Sequence, residues 1–161
     1  MDSREFYFAY GSNLDWSQMT NRCPSAKFLA VAVLSNHRLD FTYLSKGRKC
    51  GVADAVPDPG RETWGVVYSI SSADLMTLDG HEGYKPERTK NAYRRESVVV
   101  SLEDKARTQQ NCWTYFVQTK SPQTIPPSKM YMDLLVKGAE FWQLPQEYKL
   151  FLKRVPLADE P

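Results

Sequence analysis

The chain has 161 residues, 42% of them hydrophobic and 25% charged, with a net charge of +2 from 21 Lys and Arg against 19 Asp and Glu. This composition excludes a disordered chain, the near-neutral charge excludes a protein built around phosphate neutralisation, and no apolar run reaches the ~20 residues of a membrane helix. The length predicts one domain over residues 1–161 with its core at about 5–155.

The first element is a buried strand, Phe6 to Tyr10, aromatic and apolar without a break. Gly11-Ser12-Asn13 is a turn, in which Gly11 supplies unusual backbone angles, and a short helix follows with Asn13 or Asp15 as its cap. Cys23-Pro24 ends that helix. Lys27 to Leu44 reads as extended, with a break near Asn36, and the segment after it is a basic turn. Gly51 to Val56 reads as a short strand closed by Pro57 and Pro59-Gly60, and Thr63 to Ile70 as the next strand.

Ser71 and Asp74, three residues apart, resemble a capping box opening a helix, with Leu75 and Leu78 on its inner face. Gly80 and Gly83 break it, and the polar, basic stretch Tyr84 to Asn91 is a loop. Tyr93 to Leu102 and Cys112 to Thr119 are two further strands. Pro126-Pro127-Ser128 opens a helix to about Phe141, with Tyr131, Leu134, Leu135 and Gly138 on one face. Pro145 opens a last helix carrying Tyr148, Phe151, Leu152 and Val155, and the tail from Ala158 is loose. Strands and helices do not alternate. The order therefore predicts an α+β fold, a curled, mostly antiparallel sheet or barrel with flanking helices, rather than a doubly wound sheet.

The chemistry searches mostly exclude. Two histidines, His37 and His81, and three widely spaced cysteines make no metal spacing. The odd cysteine count and the charged start Met1-Asp2-Ser3-Arg4 predict reduced thiols in an intracellular, cytoplasmic protein. There is no Walker A loop, GxGxxG or GxSxG, and Ser12 has no visible base beside it. The basic loop at 85–95 reads as a solvated face rather than a nucleic-acid patch, since Glu87 interrupts it.

Two segments carry information. Residues 8–15 turn a buried strand through Gly11, and such a turn can aim backbone N–H groups at an anion. An ordinary strand-to-helix turn explains the same residues. In residues 78–84 helical phase would place Leu75, Leu78 and Glu82 on one face, setting a carboxylate against the core. Burial raises a carboxylate pKa toward the range of a general base. An exposed Glu82 at a frayed helix end is the competing reading.

These segments, with Pro24-Ser25-Ala26, the strand Trp64 to Tyr68, and the run 121–148, resemble the γ-glutamylcyclotransferase family in order over about residues 5–150. The resemblance implies a small mixed barrel and a cyclisation that releases 5-oxoproline from γ-glutamyl compounds. It implies Glu82 as the essential carboxylate and Tyr7, Phe8, Ala9, Tyr10, Gly11, Ser12 and Asn13 as the substrate loop. It also implies Tyr115 and Tyr131 as substrate contacts, and a homodimer. A γ-glutamyl group carries its own nucleophile, its α-amine, so the reaction needs no metal, cofactor or protein nucleophile. Two other readings stay open: a cyclotransferase acting on a γ-glutamyl amine or γ-glutamyl-protected intermediate, and a non-catalytic binding module.

Overall fold

The structure is a computed structural model and describes residues 3–159. Five strands, β1 (Arg4–Ala9), β2 (Lys27–Ser45), β3 (Cys50–Ser71), β4 (Tyr93–Leu102) and β5 (Gln109–Val117), close a barrel in the order β1-β3-β2-β4-β5. All neighbours are antiparallel except β1 and β5, which meet in parallel at Tyr7 and Trp113. That contact makes the barrel mixed. Four helices flank it among the described residues: α1 (Trp16–Arg22), α2 (Ser72–His81), α3 (Lys129–Phe141) and α4 (Gln146–Lys153). No helix among the described residues is long and apolar enough to cross a membrane.

The long strands correct one expectation. Residues 50–71 form one strand, not two. Pro57 still pairs with His37, and the ladder resumes at Glu62 opposite Ser35, so residues 58–61 bulge out instead of ending the strand. The bulge faces Asn36, which sits at φ 60° and accepts the Gly60 N–H at 3.0 Å. Proline and glycine here bend a strand whose two ends are both held by β2. The expected strand at 112–119 starts earlier and ends at Val117.

Helix starts follow their caps. Asp15 accepts the Gln18 N–H, Ser71 that of Asp74 and Ser128 that of Tyr131, at 3.0, 3.1 and 3.1 Å. The capping box at Ser71 is half-formed. Asp74 turns its carboxylate away to Ser25, accepting from the Ser25 N–H at 2.9 Å and from its hydroxyl. Ser25 in turn accepts the Ser71 N–H at 2.9 Å, so the Pro24-Ser25-Ala26 segment is stitched to the start of α2. At the other end of the chain, Ala158 donates to the Pro127 carbonyl at 2.8 Å, which ties down the start of the tail; its last two residues lie outside the described residues.

The faces expected of α3 and α4 are largely buried: Tyr131, Leu135 and Gly138 on one, Tyr148 and Leu152 on the other. Leu134 and Val155 are half-buried, and Phe151 stays exposed. Gly138 is the point where α3 lies on the turn Ser12–Leu14; a Cβ there would stand 2.4 Å from the Leu14 backbone. Trp142 donates to the Leu14 carbonyl at 3.0 Å and fixes the same approach. Backbone on both sides cannot yield, so Gly138→Ala is expected to lower stability by about 1–3 kcal/mol in urea denaturation.

Candidate active site

The site lies where β1 ends, beside the last turn of α2. Leu75 and Leu78 are buried, and the Glu82 N–H still reaches the Leu78 carbonyl at 3.0 Å, so helical phase carries through to Glu82. Glu82 is the C-cap, not a residue of the helix proper. Gly83 follows at φ +65°, the left-handed position that glycine takes at no steric cost. Tyr84 N–H then bonds the Asp79 carbonyl at 2.9 Å and Gly83 N–H the Gly80 carbonyl at 3.2 Å, the paired closure of a Schellman cap. The Glu-Gly-Tyr order is thus a helix stop that fixes the direction of one carboxylate.

That carboxylate faces a narrow cavity of about 40 Å³ whose walls include Tyr7, Tyr10, Gly11, Ser12 and Asn13 from the β1 end. Tyr115 and Tyr131 line it too. Phe8 and Ala9 do not; both are fully buried in the core, and the Phe8 carbonyl accepts from Thr114 at 2.8 Å. Ala53, Tyr93 and Thr114 complete the lining and went unnoticed in the sequence. They come from three different strands, and nothing local marks them.

Glu82 keeps 16% of its side-chain surface exposed. Burial raises its pKa above the ordinary carboxylate range, against the opposing pull of Arg22, Arg48 and Asn13. Asn13 donates to Oε1 at 3.3 Å, and Arg22 stands 3.8 Å from the same oxygen. Gln18, also missed, donates to Ser12 Oγ and Asn13 Oδ1 at 2.8 and 2.9 Å, which aims the Asn13 amide at Tyr7 and Glu82. Ser12 therefore meets a donor that cannot take its proton. Cys23 and Cys112 are unsuited to nucleophilic work, because burial pushes both thiols up to about 12.

The tyrosines divide by what their hydroxyls already do. Tyr10 donates to the Tyr115 carbonyl, Tyr93 to the Ala53 carbonyl at 2.5 Å, and Tyr115 to Asp79 Oδ1 at 2.6 Å. Tyr131 instead accepts the Ala53 N–H at 2.9 Å, and Tyr7 accepts from Asn13 at 3.0 Å. Each of these two keeps its own proton to give. Burial raises the pKa of all five phenols, so they remain neutral donors at ordinary pH. Asp79 also stands 2.9 Å from Arg95 Nε, outside hydrogen-bond alignment, while Arg95 stacks on Trp113 at 4.4 Å. Arg95 is thereby drawn out of the basic loop. Arg94 pairs with Glu96 at 2.8 Å, and Arg88 donates to the Gly83 carbonyl at 3.2 Å.

Gly11 turns the chain at φ −109° and ψ −137°, outside the regular helix and strand regions but without a positive φ. What it supplies is space: a Cβ would stand 3.2 Å from Ala53 Cβ and 3.5 Å from the Tyr131 hydroxyl, inside the cavity.

Residues 62–152 match the model of the AIG2-like family. A mouse γ-glutamylcyclotransferase is 34% identical over 157 residues, covering 92% of this chain and 77% of that protein. The human γ-glutamylcyclotransferase is 35% identical over 158 residues with the same coverage. Among solved structures, a γ-glutamyl cyclotransferase superposes with a TM-score of 0.89 at 32% identity, covering 98% of this chain and 91% of that one. Sequence and barrel agree along nearly the whole length, and the chain therefore belongs to the AIG2-like family, among its γ-glutamylcyclotransferases.

Proposed function

We propose that the protein cyclises γ-glutamyl amino acids, releasing 5-oxoproline and the free amino acid, with Glu82 as the acid/base. The observation that carries this reading is one carboxylate of raised pKa, Glu82, held at a tyrosine-lined cavity beside the Gly11–Asn13 turn. The substrate's α-amine attacks its own γ-carbonyl and closes a five-membered ring, so the protein must position the chain and move protons. Both described contacts of Glu82 go to Oε1, which leaves Oε2 to take the amine proton and return one to the departing amine. Backbone N–H groups of residues 11–13 and the free hydroxyl protons of Tyr7 and Tyr131 are the donors for the substrate carboxylate and the developing oxyanion. Tyr115, whose proton is spent on Asp79, acts as a wall that can only accept. Phe8 and Ala9 serve the loop by anchoring it in the core.

Three free buried cysteines support a reducing, cytoplasmic setting for this reaction. A homodimer belongs to the reading on family resemblance alone.

Incubation with γ-glutamyl-alanine and chromatographic assay of 5-oxoproline tests the proposal, and no release of 5-oxoproline would reject it. Tyr131→Phe is expected to raise KM or lower kcat about 10-fold, the scale of one hydrogen-bond donor, while circular dichroism stays unchanged. Kinetics equal to the wild type would make Tyr131 a core aromatic.

A further inference from the structure

Next to the narrow cavity lies a wider cleft of about 260 Å³. The two share Ser12, Glu82, Tyr93 and Tyr131, so a ligand with its reacting carbonyl beside Glu82 must extend from one into the other. The charges on the walls of the cleft are unbalanced. Arg22, Lys46 and Arg48 line it against a single carboxylate, Glu82. His81 adds little charge, because burial and Arg22 lower its pKa. Arg22 already stands beside Glu82 and bonds Asn13 Oδ1 at 3.2 Å. Lys46 and Arg48 form no ion pair among the described residues.

Arg48 is nevertheless held in place. It donates to Gln18 Oε1 at 2.8 Å, and its guanidinium lies 5.2 Å from the centre of the Tyr131 ring. A half-buried cation fixed by a neutral amide and an aromatic face, with no carboxylate of its own, leaves its remaining N–H donors to an outside anion. Lys46 is exposed at the rim and adds to the same field.

Resting on the cyclotransferase reading, we propose that this cleft is the leaving-group subsite and that Arg48, assisted by Lys46, recognises a carboxylate on the departing amine. The preference for γ-glutamyl amino acids over γ-glutamyl amines of the same carbon skeleton then resides in these two cations. Recognition is electrostatic and bidentate in kind, since a guanidinium matches a carboxylate fork.

The test compares γ-glutamyl-alanine with γ-glutamyl-ethylamide, which differ only by the carboxylate on the leaving group. Wild-type kcat/KM is expected to favour the alanine conjugate by about 10–100-fold, the scale of a charge-assisted hydrogen-bonded pair. Arg48→Gln should collapse that ratio toward one. Effects of the substitution on Glu82 or on the Tyr131 ring act on both substrates and cancel in the ratio. Lys46→Gln, at an exposed position that leaves folding untouched, should shrink the ratio by about 2–5-fold, as loss of a solvated charge does. A wild-type enzyme indifferent to the carboxylate overturns the assignment, as does a ratio unchanged in Lys46→Gln together with an unchanged or unmeasurable one in Arg48→Gln. Failure of the wild type to release 5-oxoproline from either substrate removes the cyclotransferase reading itself, and this assignment with it.

Discussion

Glu82→Gln is expected to reduce 5-oxoproline release from γ-glutamyl-alanine by at least ~10²-fold while leaving the fold in place, because the amide keeps the shape of the side chain and removes its base. Asn13 and Arg22 hold Oε1, so a glutamine carbonyl can keep the Asn13 contact. The same variant carries a second, opposite effect on stability. Burial raises the pKa of Glu82 in the folded protein above its unfolded value. A carboxyl shifted upward stabilises the fold most when protonated, below the unfolded pKa, and that contribution is lost as pH rises through the folded pKa. At neutral pH the charged Glu82 therefore costs stability, and the uncharged glutamine does not incur this cost. Glu82→Gln is expected to match or exceed the wild-type Tm at neutral pH, and its advantage should fade as pH falls through the raised pKa of Glu82 and the wild type becomes protonated. By the same shift, the acid limb of kcat/KM should lie above the ordinary carboxylate range and disappear in the variant. Near-wild-type turnover by Glu82→Gln would remove this residue from the mechanism.

The largest stability loss is expected at Asp54. Its side chain is fully buried, and its carboxylate accepts from Thr42 Oγ1 at 2.7 Å, the Val117 N–H at 3.0 Å and Lys120 Nζ at 2.6 Å. One carboxylate thus joins β2, β3, β5 and the segment beyond β5. Asp54→Ala leaves the Thr42 hydroxyl and the Val117 N–H without an acceptor, while Lys120 loses its carboxylate and keeps the Val117 carbonyl at 3.0 Å; loss of one partner from a buried pair costs about 3–5 kcal/mol. Lys120 is 30% exposed and can recover water, so the lower end of that range, about 3 kcal/mol, is expected in urea denaturation. The neighbouring residue makes this more than a core defect. Ala53 donates its N–H to Tyr131 and accepts from Tyr93, so Asp54 steadies the strand that positions two cavity tyrosines. Unchanged stability in Asp54→Ala would show that this buried pair adds no net free energy.

Much of this protein was decided within a few residues of sequence. The caps at Asp15, Ser71 and Ser128, the apolar faces of α2, α3 and α4, and the end of β1 before Gly11 follow from side chains acting on their own turn of backbone. Glu82 belongs to this class. Its spacing from Leu75 and Leu78 points it inward, and Gly83 fixes the helix stop that holds it. The family pattern named the turn and the tyrosines on top of that.

Tertiary structure alone decided the rest. Whether residues 58–61 end a strand or bulge from one depended on β2 holding both sides, which no local proline rule contains. Ala53, Tyr93 and Thr114 reach the cavity through barrel register, where partners lie tens of residues apart and a slip of one position would turn each side chain to the opposite face. Gln18 and Arg48 meet across 30 residues of chain, and only their meeting turns a basic turn and a surface helix into one wall of the site. A sequence specifies short-range geometry directly because the interacting atoms are bonded neighbours; a closed barrel assembles its cavity from chain ends brought together by pairing, and that arrangement exists only once the barrel has closed.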